Sequence, residues 1–189
     1  GQLPNASFEN FHEASYSSAK SQEPNGWHSF MSSTGSMASM VSAAVHTYAS
    51  SEVRENAAAD NKQCVKIVST PVKVGSLVAA SANGTITTGR LKAGSMTASS
   101  KDNCSFLDFS SADVDANGDP FYAVLNNKPD AMKVWVKFKA GDGNKNPKAT
   151  ISALLTNGNM VQDPEDDKYA ANIIARANNS SIESKDEWQ

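Results

Sequence analysis

Long apolar runs are missing from this 189-residue chain. No stretch approaches the roughly 18 apolar residues that a helix needs to cross a bilayer. Cysteine is scarce. Cys64 and Cys104 are the two present, and neither belongs to a C-x-x-C pair, so zinc-ribbon and thioredoxin-type redox readings have no footing. In an exported protein the two could pair; otherwise they are small, semi-buried free thiols. Histidine is nearly as scarce. His12, His28 and His46 lie far apart with no i, i+4 spacing, and each reads as a lone surface residue. Charged residues make up 20% of the chain, the formal net charge is -3, and no Lys/Arg-rich patch or block of like charge occurs. That argues against a nucleic-acid binder and against an acidic or basic tail. No basic segment followed by an apolar core opens the chain, so a signal peptide is expected to be absent or already removed.

Small and amidic residues fill the deficit: 26 Ser, 26 Ala and 17 Asn. That composition favours a loop-rich β protein over a helical bundle, which would carry more Leu, Glu and Lys. The length suits a single domain over residues 1–189. Pro24-Asn25-Gly26 marks a turn, and Trp27–Met31 then reads as a short strand. Residues 32–62 show no clean period and read as a long connection with one helical turn near 52–59. Residues 63–69 alternate as a strand. Thr85–Leu91 and Phe106–Phe109 follow as further strands. The clearest pattern is Met132–Lys139. Met132, Val134, Val136 and Phe138 share one face, and Lys133, Trp135, Lys137 and Lys139 share the other. Gly141–Pro147 is a turn, which makes Ala149–Thr156 the expected hairpin partner. Ala170–Ala177 fits a helix or a strand. About six short strands joined by Gly, Pro and Asn turns suggest a β-sandwich.

Asp113-Val114-Asp115-Ala116-Asn117-Gly118-Asp119 matches the first half of a D-x-D-x-N-G calcium loop. The twelfth position, where a bidentate acid is required, is Val124, so an acidic surface turn is the expectation. Trp135 projects to the lysine face of its strand, between Lys133 and Lys137. It is either a platform on which a sugar ring stacks or a core residue under covering loops. Tyr122, Tyr16 and Trp27 are further aromatic candidates. Acids are plentiful in turns, but none sits in an apolar setting that would suit acid catalysis. No nucleophile elbow, P-loop or dinucleotide fingerprint is present, so enzyme status has no positive support.

The opening Leu3-Pro4-Asn5-Ala6-Ser7-Phe8-Glu9, followed by Pro24-Asn25-Gly26-Trp27, looks like the start of jelly-roll carbohydrate-binding modules. Three later segments sharpen this. They are 82–90, then Asp119-Pro120-Phe121 leading into Lys128–Phe138, then Asn172–Ala177 before Glu187-Trp188. In that order they resemble the carbohydrate metabolism domain family of exported bacterial lipoproteins, the Pro129-Asp130-Ala131-Met132-Lys133-Val134-Trp135-Val136-Lys137 run being the most specific part. The resemblance implies an all-β, galactose-binding-like jelly roll and a glycan connection. Such domains usually continue past the Glu-Trp segment, so either the C-terminal strands are missing here or this member is shorter. In related modules the Glu of the Phe-Glu pair can bind a structural calcium. Glu9 matches that ligand, while the second would lie beyond residue 189.

The expectation is therefore a non-catalytic glycan-binding module of an exported bacterial surface protein, at the cell surface or in the periplasm. The ligand-binding candidates are Trp135, Tyr122, Lys133 and Lys137. No cofactor is expected beyond a structural calcium at Glu9. The partners are a glycan, the outer-membrane surface through a lipid anchor outside this chain, and a second copy or another strand-pairing partner. The alternatives are a structural or adhesive domain and a glycoside hydrolase.

Overall fold

A computed structural model describes residues 3–44 and 46–189. Strand dominates, and helix is confined to short turns, which is the all-β class that the composition predicts. The chain divides into two compact units, one of residues 1–126 with 162–166 and one of residues 127–161 with 167–189.

The first unit opens with a hairpin, β1 (Phe11–Tyr16) and β2 (Ala19–Pro24), paired antiparallel across a two-residue turn at Ser17-Ser18. Ser17 takes a φ of 53°, the left-handed conformation that a two-residue hairpin turn requires. The inward face of this hairpin carries His12, Ala14, Ser21 and Glu23, so hydrophobic alternation does not reveal it. The expected strand at Trp27–Met31 is instead a single bridge, His28 to Thr87, followed by a 3₁₀ turn at Phe30–Ser32. Ser29 caps that turn by accepting from the Met31 amide. The supposed long connection holds the five-residue helix α1 (Ala38–Ser42) and β3 (Thr47–Ser50). Residues 52–59 form no helix.

The alternating 63–69 segment contains β4 (Cys64–Ile67), which pairs with β3. β5 (Thr70–Val74) and β6 (Leu77–Ala82) form a second hairpin. β7 (Arg90–Ala93) and β8 (Asn103–Phe106) are the strands predicted near Thr85–Leu91 and Phe106–Phe109, each displaced by a few residues. They lie in one antiparallel sheet of order β10-β8-β7, in which β10 is Gln162–Asp163.

In the second unit β9 (Lys148–Thr156) is a strand as predicted, but its partner is β11 (Ile173–Glu183). The 132–139 segment is not. It runs extended, exchanging backbone hydrogen bonds between Val136 and Gln189 and accepting at the Phe138 carbonyl from the Lys185 amide. Its expected buried face is not realised, because Met132 and Val134 are exposed and Val136 and Phe138 are only half-buried. The ambiguous 170–177 stretch is both things in turn: a 3₁₀ helix at Asp167–Asn172, then β11.

The interior is small and polar. Among the described residues the buried side chains are divided about evenly between apolar ones, such as Phe121 and Leu91, and polar or charged ones, such as Glu23 and His28. A core of that kind holds only where each buried polar atom is matched. Most are. Ser21 donates to the Thr47 carbonyl, and the His46 ring nitrogens lie 3.2 Å from the Val41 and Val68 carbonyls. The histidines are thus not lone surface residues. His28 and His46 are fully buried, and the His12 side chain is only 9% exposed. Neither Cys64 nor Cys104 is in a disulfide.

Candidate functional site

Among the described residues the unmatched buried polar atoms are concentrated in one place. His12 Nε2, Glu23 Oε1, His28 Nε2 and Asp115 Oδ2 are all buried without a hydrogen-bond partner, and each faces another of the four. His12 Nε2 lies 3.4 Å from Glu23 Oε1 and 3.5 Å from Asp115 Oδ2, and His28 Nε2 lies 3.1 Å from Asp115 Oδ2.

Local structure places each residue. His12 and Glu23 are directly opposed partners in the β1–β2 register. The Asn25-Gly26 turn carries the chain to His28, which the Thr87 bridge holds. Asp115 sits at the head of a tight turn, where its Oδ1 accepts from the amides of Asn117 and Asp119, both at 2.8 Å. The calcium-loop-like sequence is therefore an Asx turn, largely exposed as the sequence suggests, except that its second carboxylate, Asp115, reaches inward. Asp119 Oδ2 accepts from the Gly26 amide at 2.9 Å and from Asn117 Nδ2, tying this turn to the one after β2.

The far side of each of the four groups is satisfied. Glu23 Oε2 accepts from the Ser29 amide and from the Ser29 and Ser32 hydroxyls at 2.8 and 2.9 Å. His12 Nδ1 is 2.9 Å from Asn25 Oδ1, and His28 Nδ1 is 2.7 Å from the Gly89 carbonyl. Burial opposes the charged form of His12, but Glu23, Asn25 and Asp115 outweigh it and hold its pKa above the ordinary histidine value. Burial likewise opposes ionised Asp115, yet His28 and the two amides prevail and its pKa is lowered. Phe121 lies over the cluster, its ring centroid 4.5 Å from that of His28. Glu23 and Asp115 also contribute to the wall of a cavity of about 250 Å³ beside Arg90 and Phe121, although their bare oxygens are closed off from solvent. Imidazole nitrogen and carboxylate oxygen are the donor atoms that transition metals take in proteins.

The residues singled out in the sequence lie elsewhere. Trp135 is 58% exposed, and Lys133 and Lys137 are exposed beside it. Lys137 also pairs with Asp186 at 3.3 Å. These three belong to the second unit. Tyr122 belongs to the first, half-buried with its ring 5.4 Å from Phe109. It lines a groove of about 320 Å³ together with Asp119, Pro120 and Val124. Glu9 Oε1 accepts from the Lys62 and Gln63 amides. Among the described residues Glu9 belongs to no group of three or more metal-ligating side chains. No family model, curated protein or solved structure matches the chain.

Proposed function

We propose that the chain is a non-catalytic glycan-binding module of an exported bacterial surface protein, of the jelly-roll kind within the all-β class. The exposure of Trp135 carries this reading. A buried indole would have removed the stacking surface, whereas here more than half of the residue faces solvent. The indole offers a flat apolar face to the C–H face of a sugar ring, and Lys133 and Lys137 supply hydrogen-bond donors at its rim. The resemblance of the 129–137 run to carbohydrate-related domains points the same way. Glycoside hydrolysis needs two carboxyl groups flanking the sugar, and the bare oxygens of Glu23 and Asp115 are closed off from solvent.

A second reading has its own observation. Met132 and Val134 are also exposed, on the face of the segment opposite Trp135, which suits contact with another protein in a structural or adhesive assembly. A glycan array with the wild type and Trp135→Ala separates the two. The glycan reading expects binding by the wild type, at least tenfold weaker in the mutant. An unchanged mutant, or a wild type that binds no glycan, overturns it and leaves the adhesive reading.

A further inference from the structure

We infer that the His12 imidazole, carrying a second proton between Glu23 and Asp115, is a proton-operated latch that fastens the β1–β2 hairpin to the 113–119 turn and releases it when that proton leaves. The inference stands apart from the glycan reading, since none of these residues contributes to the Trp135 surface.

Position supplies the first argument. His12 and Glu23 belong to the hairpin, and Asp115 belongs to the turn. His12 Nε2 stands between the two acids, 3.4 Å from Glu23 Oε1 and 3.5 Å from Asp115 Oδ2. Those lengths exceed a good N–H···O hydrogen bond, and neither oxygen has a hydrogen-bond partner. Charge, rather than a directed bond, therefore holds the ring to both acids. A neutral ring has little to keep it there.

Charge balance supplies the second. The side chains of Glu23 and Asp115 are 0% exposed and that of His12 is 9% exposed. Two carboxylates turned inward in such a place are costly without a positive group among them. Each acid is anchored from behind, Glu23 by Ser29 and Ser32 and Asp115 by the amides of Asn117 and Asp119, so neither is free to turn to water. Arg90 lines the same cavity but is drawn elsewhere, to Asp108 at 2.9 Å and to Asp113 at 3.4 Å. Two further titratable groups face the latch. Asp119, on the same turn, has a carboxylate oxygen within 4.8 Å of the His12 and Asp115 donor atoms and adds to the negative field around the ring. His28 presents Nε2 to Asp115 Oδ2 at 3.1 Å, and its Nδ1 is committed to the Gly89 carbonyl. His12 is the ring that faces both acids. Asn25, at Nδ1, serves either form of His12, because an amide presents its oxygen or its nitrogen.

Linkage supplies the direction. Burial works against the charged ring, but Glu23, Asn25 and Asp115 outweigh it, so the folded chain holds this proton more tightly than a free histidine does. The latch contributes its full stability below the unfolded value of about 6.5 and loses it as pH rises through the higher folded value. Loss of the proton from Nε2 turns a lone pair toward two carboxylate oxygens, and attraction becomes repulsion. The bond from the Gly26 amide to Asp119 Oδ2, 2.9 Å long, crosses the same seam and reports whether it is closed. When the seam opens, Phe121 and the cavity wall that Glu23 and Asp115 form meet water.

The test follows the histidine ring resonances of the full chain by NMR from pH 5 to 9, with hydrogen exchange of backbone amides over the same range. His12 is expected to titrate above the ordinary value of about 6.5, and Glu23→Gln and Asp115→Asn are each expected to lower its midpoint. In the wild type, exchange of the Gly26 amide, corrected for its intrinsic rise with pH, should increase at least tenfold across the His12 midpoint. The amide of Ala93, bonded to the Thr34 carbonyl away from the seam, should stay within about threefold. In His12→Gln, which has no proton to lose, corrected exchange at Gly26 should not change with pH. A His12 midpoint at or below the ordinary value, a midpoint unmoved in both acid variants, or Gly26 exchange in the wild type that ignores the His12 midpoint would each overturn the latch. The first and last of these need no substitution, so a variant that fails to fold does not shield the proposal.

Discussion

Truncating Phe121 to alanine tests whether the first unit depends on its largest fully buried side chain. Phe121 is 1% exposed. One side of the ring lies against His28, and the guanidinium carbon of Arg90 lies 4.6 Å from its centroid. The other buried apolar residues of this unit are small or of medium size, such as Ala14, Val72 and Leu91, so little nearby can expand into the space left behind. Deleting a buried phenylalanine costs about 3–5 kcal/mol, of which the cation–π contact accounts for roughly 0.5–1 kcal/mol. Against a typical total of about 5–15 kcal/mol, that is a large share. With a urea slope of about 1–3 kcal/mol/M, the unfolding midpoint should fall by more than about 1 M at an unchanged slope. Phe121→Leu keeps most of the volume and should lose roughly 1.5 kcal/mol or less. Urea unfolding of both variants, followed by circular dichroism, is the assay. A loss below about 1 kcal/mol in Phe121→Ala would refute the reasoning, because the ring would then not be holding this polar interior together.

Two further outcomes are expected. Burial would raise the Asp108 pKa, but the Ser110 amide and the Arg90 guanidinium, 2.9 Å from Oδ2, hold it below the usual carboxylate range. Its contribution is therefore present above the unfolded value of about 3.9 and is lost as pH falls through the folded value. Asp108→Asn should flatten the fall in stability below about pH 4, and melting curves from pH 2 to 7 check this. Gly35 has φ 105°, and a Cβ there would come 2.4 Å from the Ala93 carbonyl oxygen, whereas at Gly75, with φ 61°, it would meet nothing. Gly75→Ala should cost about 1 kcal/mol for the left-handed backbone alone, and Gly35→Ala clearly more. Equal losses in chemical denaturation would contradict the close approach at Gly35.

The all-β class was legible because composition and short alternating segments report it directly. β4 and β9 appear where alternation is clear. Pairing was less accessible. β9 joins β11 rather than the 132–139 segment, because a turn-rich interval suggests a neighbour without fixing it, and 141–147 connects two segments that do not pair. The first hairpin stayed hidden because its inward residues are His12, Ala14, Ser21 and Glu23, so the rule that buried faces are apolar points the wrong way. The cluster of His12, Glu23, His28 and Asp115 was lost with it. Once a two-residue turn is placed at Ser17-Ser18, the antiparallel register alone sets His12 opposite Glu23. Asp115 gave a partial signal, since the spacing of 113–119 marked carboxylates in a turn, but not that one of them turns inward to meet histidines from 87 to 103 residues earlier. Trp135 was visible as an aromatic on a lysine-bearing face, and its exposure needed the structure.

The tie between the Gly26 amide and Asp119, 93 residues apart along the chain, sets an order of events during synthesis. The hairpin with His12 and Glu23, and then His28, emerges from the ribosome well before Asp115 exists. At about 5–20 residues per second the wait is roughly 5–20 s. Throughout that interval Glu23 lacks the surroundings that later enclose it, and the early hairpin remains wet and unable to close. Completion of the 113–120 turn is thus the moment at which the first thirty residues can settle, and a ribosome stalled ahead of it leaves a nascent chain with its acid and imidazole groups open to water, ions and proteases.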